Sequence, residues 1–198
     1  MRPTKQHITQ REKMLAKARV LFWKKGYYGT SMRDIAKACN CKSANIYNYF
    51  NSKEDILFEM LKNEMELLLN HSLPLEDDET TDPVEQLRSM INNHLAVTLG
   101  RMRSSMMLFD MDLGSLGPAK RKKIIGMRDT YDRILCSIIR RGIDKGVFAE
   151  TDVKVAAFSI ASMIVRTRMW FSPKGRLSVK DVQDFIFVFV MNALKSSN

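Results

Sequence analysis

The sequence predicts an all-α protein, with an N-terminal three-helix helix-turn-helix domain followed by a C-terminal helical domain. Three observations carry this expectation. Nearly every segment places its apolar residues at helical period, and no stretch alternates convincingly as a strand. Two short helices joined by a tight turn follow a longer supporting helix near the N-terminus. The charge is also segregated. Of a formal net charge of +10, residues 1–55 hold 12 Lys/Arg against 4 Asp/Glu, while the rest holds 20 against 18. A basic first quarter on a near-neutral remainder points to a dedicated anion-binding module, with nucleic acid the first partner class.

Each element follows from its residues. From Ile8 to Lys25, Met14, Leu15, Ala18, Leu21 and Phe22 form one apolar stripe. Lys24 and Lys25 suit the negative end of that helix, and Gly26 suits the position just past it. Ser31 with Asp34 three residues on is a capping signature for a second helix, whose inner face is Ile35, Ala38 and Cys39. Asn40 fits the tight turn, because Asn tolerates the left-handed conformation. In "CKSANIYNYF", residues 41–50, Ile46 and Phe50 fall on one helical face. Ala44 and Asn48 fall opposite, with Asn45 and Tyr47 on the flanks. An outward face of small, amide and phenol groups does little for the helix itself and suits contact with a partner.

A long helix starts near Ser52, with Ile56, Met60, Leu61, Leu67 and Leu68 as its apolar contacts. "LPLEDDETTDP" breaks the pattern with two prolines and an acidic run, and reads as a linker. Beyond it come a helix with Val84, Leu87, Met90, Ile91 and Leu95 inward, and a shorter one over "SSMMLFDMDLGSLGP". A long helix follows from about Ala119 to Lys145, with Met127, Tyr131, Ile134, Leu135, Ile138 and Ile139 on one side, stopped by Gly146. The next helix mixes small Ala157, Ser159, Ala161 and Ser162 with large residues, which permits close approach of another helix. In the last, Val182, Phe185, Ile186, Phe189, Val190, Ala193 and Leu194 form a full stripe, and Phe187, Val188 and Met191 fill the other faces. A terminal helix apolar nearly all round needs partners on two sides, which predicts a homodimer through the last two helices. The expected division is a basic module at 1–52 and a second domain at 53–198.

Several function classes are disfavoured. Cys39, Cys41 and Cys136 are odd in number, and Cys39-x-Cys41 lacks a second ligand pair, so neither a disulfide framework nor a metal site is expected. No cofactor motif is visible. Among three histidines, His7, His71 and His94, none has a Ser, Cys or carboxylate partner at fixed spacing, so the chain is not expected to be an enzyme. The longest strongly apolar run, "FIFVFVM" at 185–191, is too short to span a bilayer. "MRPTKQHITQREKM" has no apolar signal region, and a reducing cytoplasm is the expected location. An architectural or anionic-surface-binding helical protein would explain the charge, though not the helix-turn-helix spacing.

The stretch "ARVLFWKKGYYGTSMRDIAKACNCKSANIYNYFNSKEDIL" carries F-x-x-x-G-Y, T-S, D-I-A, I-Y-x-x-F and S-K-E-x-L in order. Over residues 8–68 it resembles the DNA-binding domain of the TetR family of transcriptional repressors. That resemblance implies groove-facing residues at Ser43, Ala44, Asn45, Tyr47 and Asn48. It also implies DNA-backbone contacts from Thr30, Arg33, Tyr47, Tyr49 and Lys53, with Ser31 and Lys42 beside them. Asn bonds adenine in a bidentate manner, and Ala admits close approach to a thymine methyl. Family members often carry Ser at Lys42, Gly at Asn40 and Ala44, Tyr at Asn48 and His at Tyr49, so the usual cap of the recognition helix and the usual operator do not carry over. The resemblance further implies a repressor that dimerises on a double-stranded inverted-repeat operator and is released by a small effector held in residues 53–198. "RDTYDRILCSIIRRGIDKGVF" and "VRTRMWFSPKGRLSVKDV" resemble a branch sensing acyl-CoA thioesters of lipid or steroid breakdown. For such a hydrophobic effector the expected site residues are Met106, Phe109, Arg128, Met163, Arg166 and Trp170, with Lys120–Lys123 as further cations.

Overall fold

The structure, a computed structural model, describes residues 9–100 and 113–195. Among these residues are eight α-helices and no strand. The first three form the N-terminal head: α1 (Gln10–Lys25), α2 (Met32–Ala38) and α3 (Ser43–Tyr47). Thr9 caps α1 in a reciprocal box with Glu12, and Gly26 closes it at φ 73°. Ser31 and Asp34 form the same box at the start of α2. Asn40 takes the turn between α2 and α3 at φ 52°, as its residue type allows. Ile35 and Ala36 are the buried positions of α2, while Ala38 and Cys39 are only half-buried. The helix is two turns long, and its packing face is centred one residue earlier than the sequence suggested.

α4 (Lys53–Ser72) is capped by Ser52 and runs between two apolar cores. Ile56, Leu57, Met60 and Leu61 join the core of the head, and Met65, Leu68 and Leu69 join the larger C-terminal core. Leu67, expected to be inward, is 44% exposed. The remaining helices are α5 (Pro83–Leu99), α6 (Pro118–Asp144), α7 (Val153–Trp170) and α8 (Val179–Leu194). The start of α6 reaches back to the head: Leu116 and Ile124 lie in the first core, and Met127 packs against both. Of the stretch expected to form a short helix, Leu113–Ser115 is a single 3-10 turn, and residues 101–112 lie outside those described.

The acidic segment between α4 and α5 is not a free linker. Arg141 of α6 donates from Nη1 to the Glu76 carbonyl and from Nη2 to the Leu75 carbonyl and Gln86 Oε1, all at 2.9 Å. Gln86 Nε2 in turn donates to the Asp78 carbonyl at 2.6 Å. The segment joins two helices of one core, which composition alone did not indicate.

α8 also turns differently from its simple stripe. Val182, Ile186, Phe187, Val190 and Leu194 are buried. Phe185 and Phe189, assigned to the inner stripe, are 70% and 51% exposed. The packing of Phe187 in the core accompanies this rotation. Where the chain leaves α6, the Val147 and Phe148 amides both donate to the Gly142 carbonyl, and the Phe148 ring lies against Gly142. A Cβ at Gly142 would stand 2.0 Å from a ring carbon of that buried Phe148. Gly142→Ala is therefore expected to cost about 1–3 kcal/mol of stability through overpacking, read as a lowered melting temperature.

Candidate functional site

The head presents one small, rigidly held helix. α3 has only five residues and cannot persist alone. Ile46 and Phe50, 0% and 2% exposed, fix it to the head core. The Cys41 amide donates to the Ala36 carbonyl at 3.1 Å and closes the turn from α2. At the other end Arg11 is the clamp. Its Nη1 donates to the Tyr49 carbonyl at 3.0 Å, its Nε to Glu59 Oε1 at 2.7 Å, and its guanidinium lies 4.5 Å from the Phe50 ring centre. Sequence reasoning missed Arg11, because its partners are 38 and 48 residues away.

The outward side holds Ala44, Asn45, Tyr47, Asn48 and Tyr49, all exposed, with Ser43 half-buried beside them. Arg33 and Lys42 are exposed nearby. Lys42 occupies the N-cap of α3, and its side chain makes no capping bond. Ser31 Oγ is engaged with Asp34, whose carboxyl is held down at about 2 by bonds from Ser31 and Lys25. Thr30 is placed otherwise than its assigned backbone contact requires. It is 2% exposed and its hydroxyl donates to the Gly26 carbonyl at 2.8 Å, so it holds the turn before α2. Lys53 Nζ donates to the Tyr27 carbonyl at 2.7 Å and lies 4.2 Å from that ring's centre, and partial burial lowers its pKa.

In the C-terminal domain a cavity of about 290 Å³ opens among four helices. Met65 and Leu68 of α4, His94 of α5, Arg128, Tyr131 and Asp132 of α6, and Phe158, Ala161, Ser162 and Val165 of α7 line it. His94 Nδ1 and the Tyr131 hydroxyl are 2.9 Å apart and buried. Burial raises the Tyr131 phenol and the Asp132 carboxyl above their ordinary values. Among the described residues expected to hold an effector, Arg128 lines this cavity. Met163 lines a separate groove between α7 and α8. Arg166 and Trp170 are exposed and line neither, while Met106 and Phe109 lie outside the described residues. Lys120 is engaged with Asp55 at 2.5 Å and Glu54 at 3.3 Å, tying α6 to the start of α4. Among the described residues no group of three or more His, Cys, Asp or Glu is arranged to hold a metal, and no helix is long and apolar enough to cross a membrane.

Residues 14–60 match the family model described as bacterial regulatory proteins, tetR family, and residues 80–194 match the tetracyclin repressor-like C-terminal domain. The chain belongs to the TetR family. That family consists of transcriptional regulators, among them repressors. One curated relative is the HTH-type transcriptional repressor KstR2 of Mycobacterium tuberculosis, 22% identical over 94% of this chain and 93% of that one. Among solved structures, the TetR family regulator PfmR from Thermus thermophilus is 31% identical, with TM-score 0.83, covering 93% of this chain and 100% of that chain. AibR in complex with isovaleryl coenzyme A and operator DNA is 27% identical, with TM-score 0.80, covering 91% and 97%.

Burial holds the His94 ring neutral, its pKa lowered from 6.5 to about 4. A histidine depressed on folding gives stability that is complete above its unfolded value and withdrawn as pH falls towards the folded one, here about 3 kcal/mol in all. Glu64, raised by burial to about 7, slopes the other way, its stability present at low pH and lost as pH rises through 7. In a Glu64→Gln background the melting temperature should fall between pH 6.5 and 4. Adding His94→Gln should make that fall shallower, and an unchanged slope would refute the assignment.

Proposed function

We propose that this chain is a ligand-responsive transcriptional repressor, dimeric on an inverted-repeat operator and released by a small hydrophobic effector. The observation that carries the reading is α3: its apolar side is fully buried, its amide, phenol and methyl side is exposed, and its end is clamped by Arg11. Such a helix places Asn45, Tyr47 and Asn48 against base edges in the major groove, with Tyr49, Arg33 and Lys42 at the phosphates. Ser31 and Lys53 border that contact. Lysine carries three donors, so the bond to the Tyr27 carbonyl leaves Lys53 donors for a phosphate.

Dimerisation is supported by the outer faces of α7 and α8. Val155, Phe158, Met169 and Trp170 on one, and Phe185, Val188 and Phe189 on the other, are all more than half exposed. Scattered apolar residues on a surface are ordinary, but a run of aromatics along two neighbouring helices marks an interface. A second copy covering it sets two recognition helices roughly 34–36 Å apart, one turn of DNA.

The effector site is the cavity beside Arg128. Its volume, about 290 Å³, lies at the small end of ligand pockets. It therefore fits the acyl end of an acyl-CoA thioester and leaves the nucleotide outside. The AibR complex with isovaleryl coenzyme A supports that class. The ligand presses on α4 at Met65 and Leu68, and α4 begins beside α3. It acts by binding the DNA-incompetent arrangement more tightly.

Footprinting on DNA selected from random duplexes by the protein should reveal an inverted repeat whose affinity falls steeply with salt. Asn45→Ala and Asn48→Ala should each relax one base position by about 1–3 kcal/mol. Protection without a palindrome would instead indicate an architectural binder. Isothermal titration with acyl-CoA thioesters of graded chain length should find short branched or linear chains preferred, and silence across the panel would remove this effector class.

A further inference from the structure

The cavity beside Arg128 is not apolar throughout, and its walls are not equally enclosed. Met65, Leu68, His94 and Tyr131 are buried, whereas Phe158 and Ser162 of α7 are exposed. The floor is therefore made by α4, α5 and α6, with α7 at the outer side. Two polar rings lie on that floor. His94 and Tyr131 are each 5% exposed. Their rings meet edge to face with centres 5.2 Å apart, and His94 Nδ1 lies 2.9 Å from the Tyr131 hydroxyl. His94 Nε2 makes no hydrogen bond among the described residues.

Counting the hydrogens of this pair shows what it can bind. Burial keeps the imidazole neutral and the phenol protonated at neutral pH, so the pair holds one N–H and one O–H. One of these hydrogens makes the bond between the two rings. If the phenol donates to Nδ1, the Nε2–H and the phenol lone pairs remain. If Nδ1–H donates to the phenol, the O–H and the Nε2 lone pair remain. Either tautomer leaves the pair one donor and at least one acceptor. A hydrocarbon group lying on this floor would strand them away from water. A carboxylate or ammonium would bury a charge against a neutral pair, at greater cost. Arg128 and Asp132, one turn apart on α6 and opposite in charge, offset each other. An uncharged oxygen suits both tautomers, since a ketone accepts the remaining hydrogen and a hydroxyl also donates. With Met65 and Leu68 alongside, that oxygen belongs on an otherwise apolar body.

We propose that the effector's acyl group bears an uncharged oxygen function beyond its thioester, a hydroxyl or a keto group, and that His94 and Tyr131 bind it on the cavity floor. The inference rests on the acyl-CoA reading above and narrows its chemical class. The pair sits on the enclosed side, and the nucleotide leaves by the exposed one. The oxygen it meets is therefore further along the acyl chain than the thioester carbonyl.

The test compares thioesters that share one carbon chain: butyryl-, 3-hydroxybutyryl-, 4-hydroxybutyryl- and acetoacetyl-CoA. Each is titrated calorimetrically into the wild-type chain and into Tyr131→Phe, which keeps the ring and removes the hydroxyl. At least one oxygenated thioester should bind the wild-type protein about tenfold or more tighter than butyryl-CoA, the scale of a hydrogen bond that an apolar analogue leaves unmade. In Tyr131→Phe that preference should fall by about threefold or more, whereas a purely structural loss weakens all the thioesters alike. Butyryl-CoA binding as tightly as every oxygenated form, or a preference that survives Tyr131→Phe, would overturn the inference and leave the acyl-CoA reading intact. Binding of none, butyryl-CoA included, would overturn both, because the cavity admits only a short chain. If Tyr131→Phe does not fold, His94→Leu is read by the same criteria.

Discussion

The burial of Ile46 and Phe50 is the contact on which the DNA-reading half of the molecule depends. A five-residue helix makes too few internal hydrogen bonds to offset the ordering of its backbone. α3 therefore exists only because two apolar side chains leave water against α1, α2 and α4. This frees the outer face from any duty to the helix, and explains why it can carry asparagines and tyrosines of poor helix propensity. The same arrangement makes orientation exact to within the packing of the head core, because both ends of α3 are fixed. The turn from Ala36 to Cys41 holds one end, and Arg11 holds the other.

α4 contributes to both cores, and this makes the two domains one mechanical object. Its first half is part of the head and its second half is a wall of the cavity. α6 returns the contact through Leu116 and Ile124. The cavity and α3 are consequently linked, among the described residues, by packed helices. Such contiguity is what coupling between the two ends of a helical protein requires.

What was legible in the sequence was local. Gly26, Asn40, and the Ser31–Asp34 box declare themselves within four residues, because left-handed turns and helix starts are governed by neighbouring backbone. The inward pair Ile46 and Phe50 was legible from period alone. The features that sequence left open depend on distant partners. Arg11 meets Tyr49 and Glu59, His94 meets Tyr131, and Arg141 meets the segment after α4. Thr30 is a local exception, its hydroxyl turning inward to the Gly26 carbonyl four residues back. On α8, apolar residues surround the helix, so period could not choose between Phe187 and Phe185 for the core. Only the tertiary neighbours make that choice.

The stitching around Arg141 has a mechanical consequence. It pins the carboxyl end of α4, through the Leu75 and Glu76 carbonyls, to α6 and α5. The amino end is held to α6 by Lys120 with Glu54 and Asp55, pairs left about one-third open to water and correspondingly weak. α4 is thus a lever whose fulcrum lies at the end remote from DNA. At 1.5 Å per residue its length is about 30 Å, so a swing of about 5° carries the amino end about 2.6 Å. A modest rearrangement around the pinned end is therefore enlarged along the helix before it reaches the head.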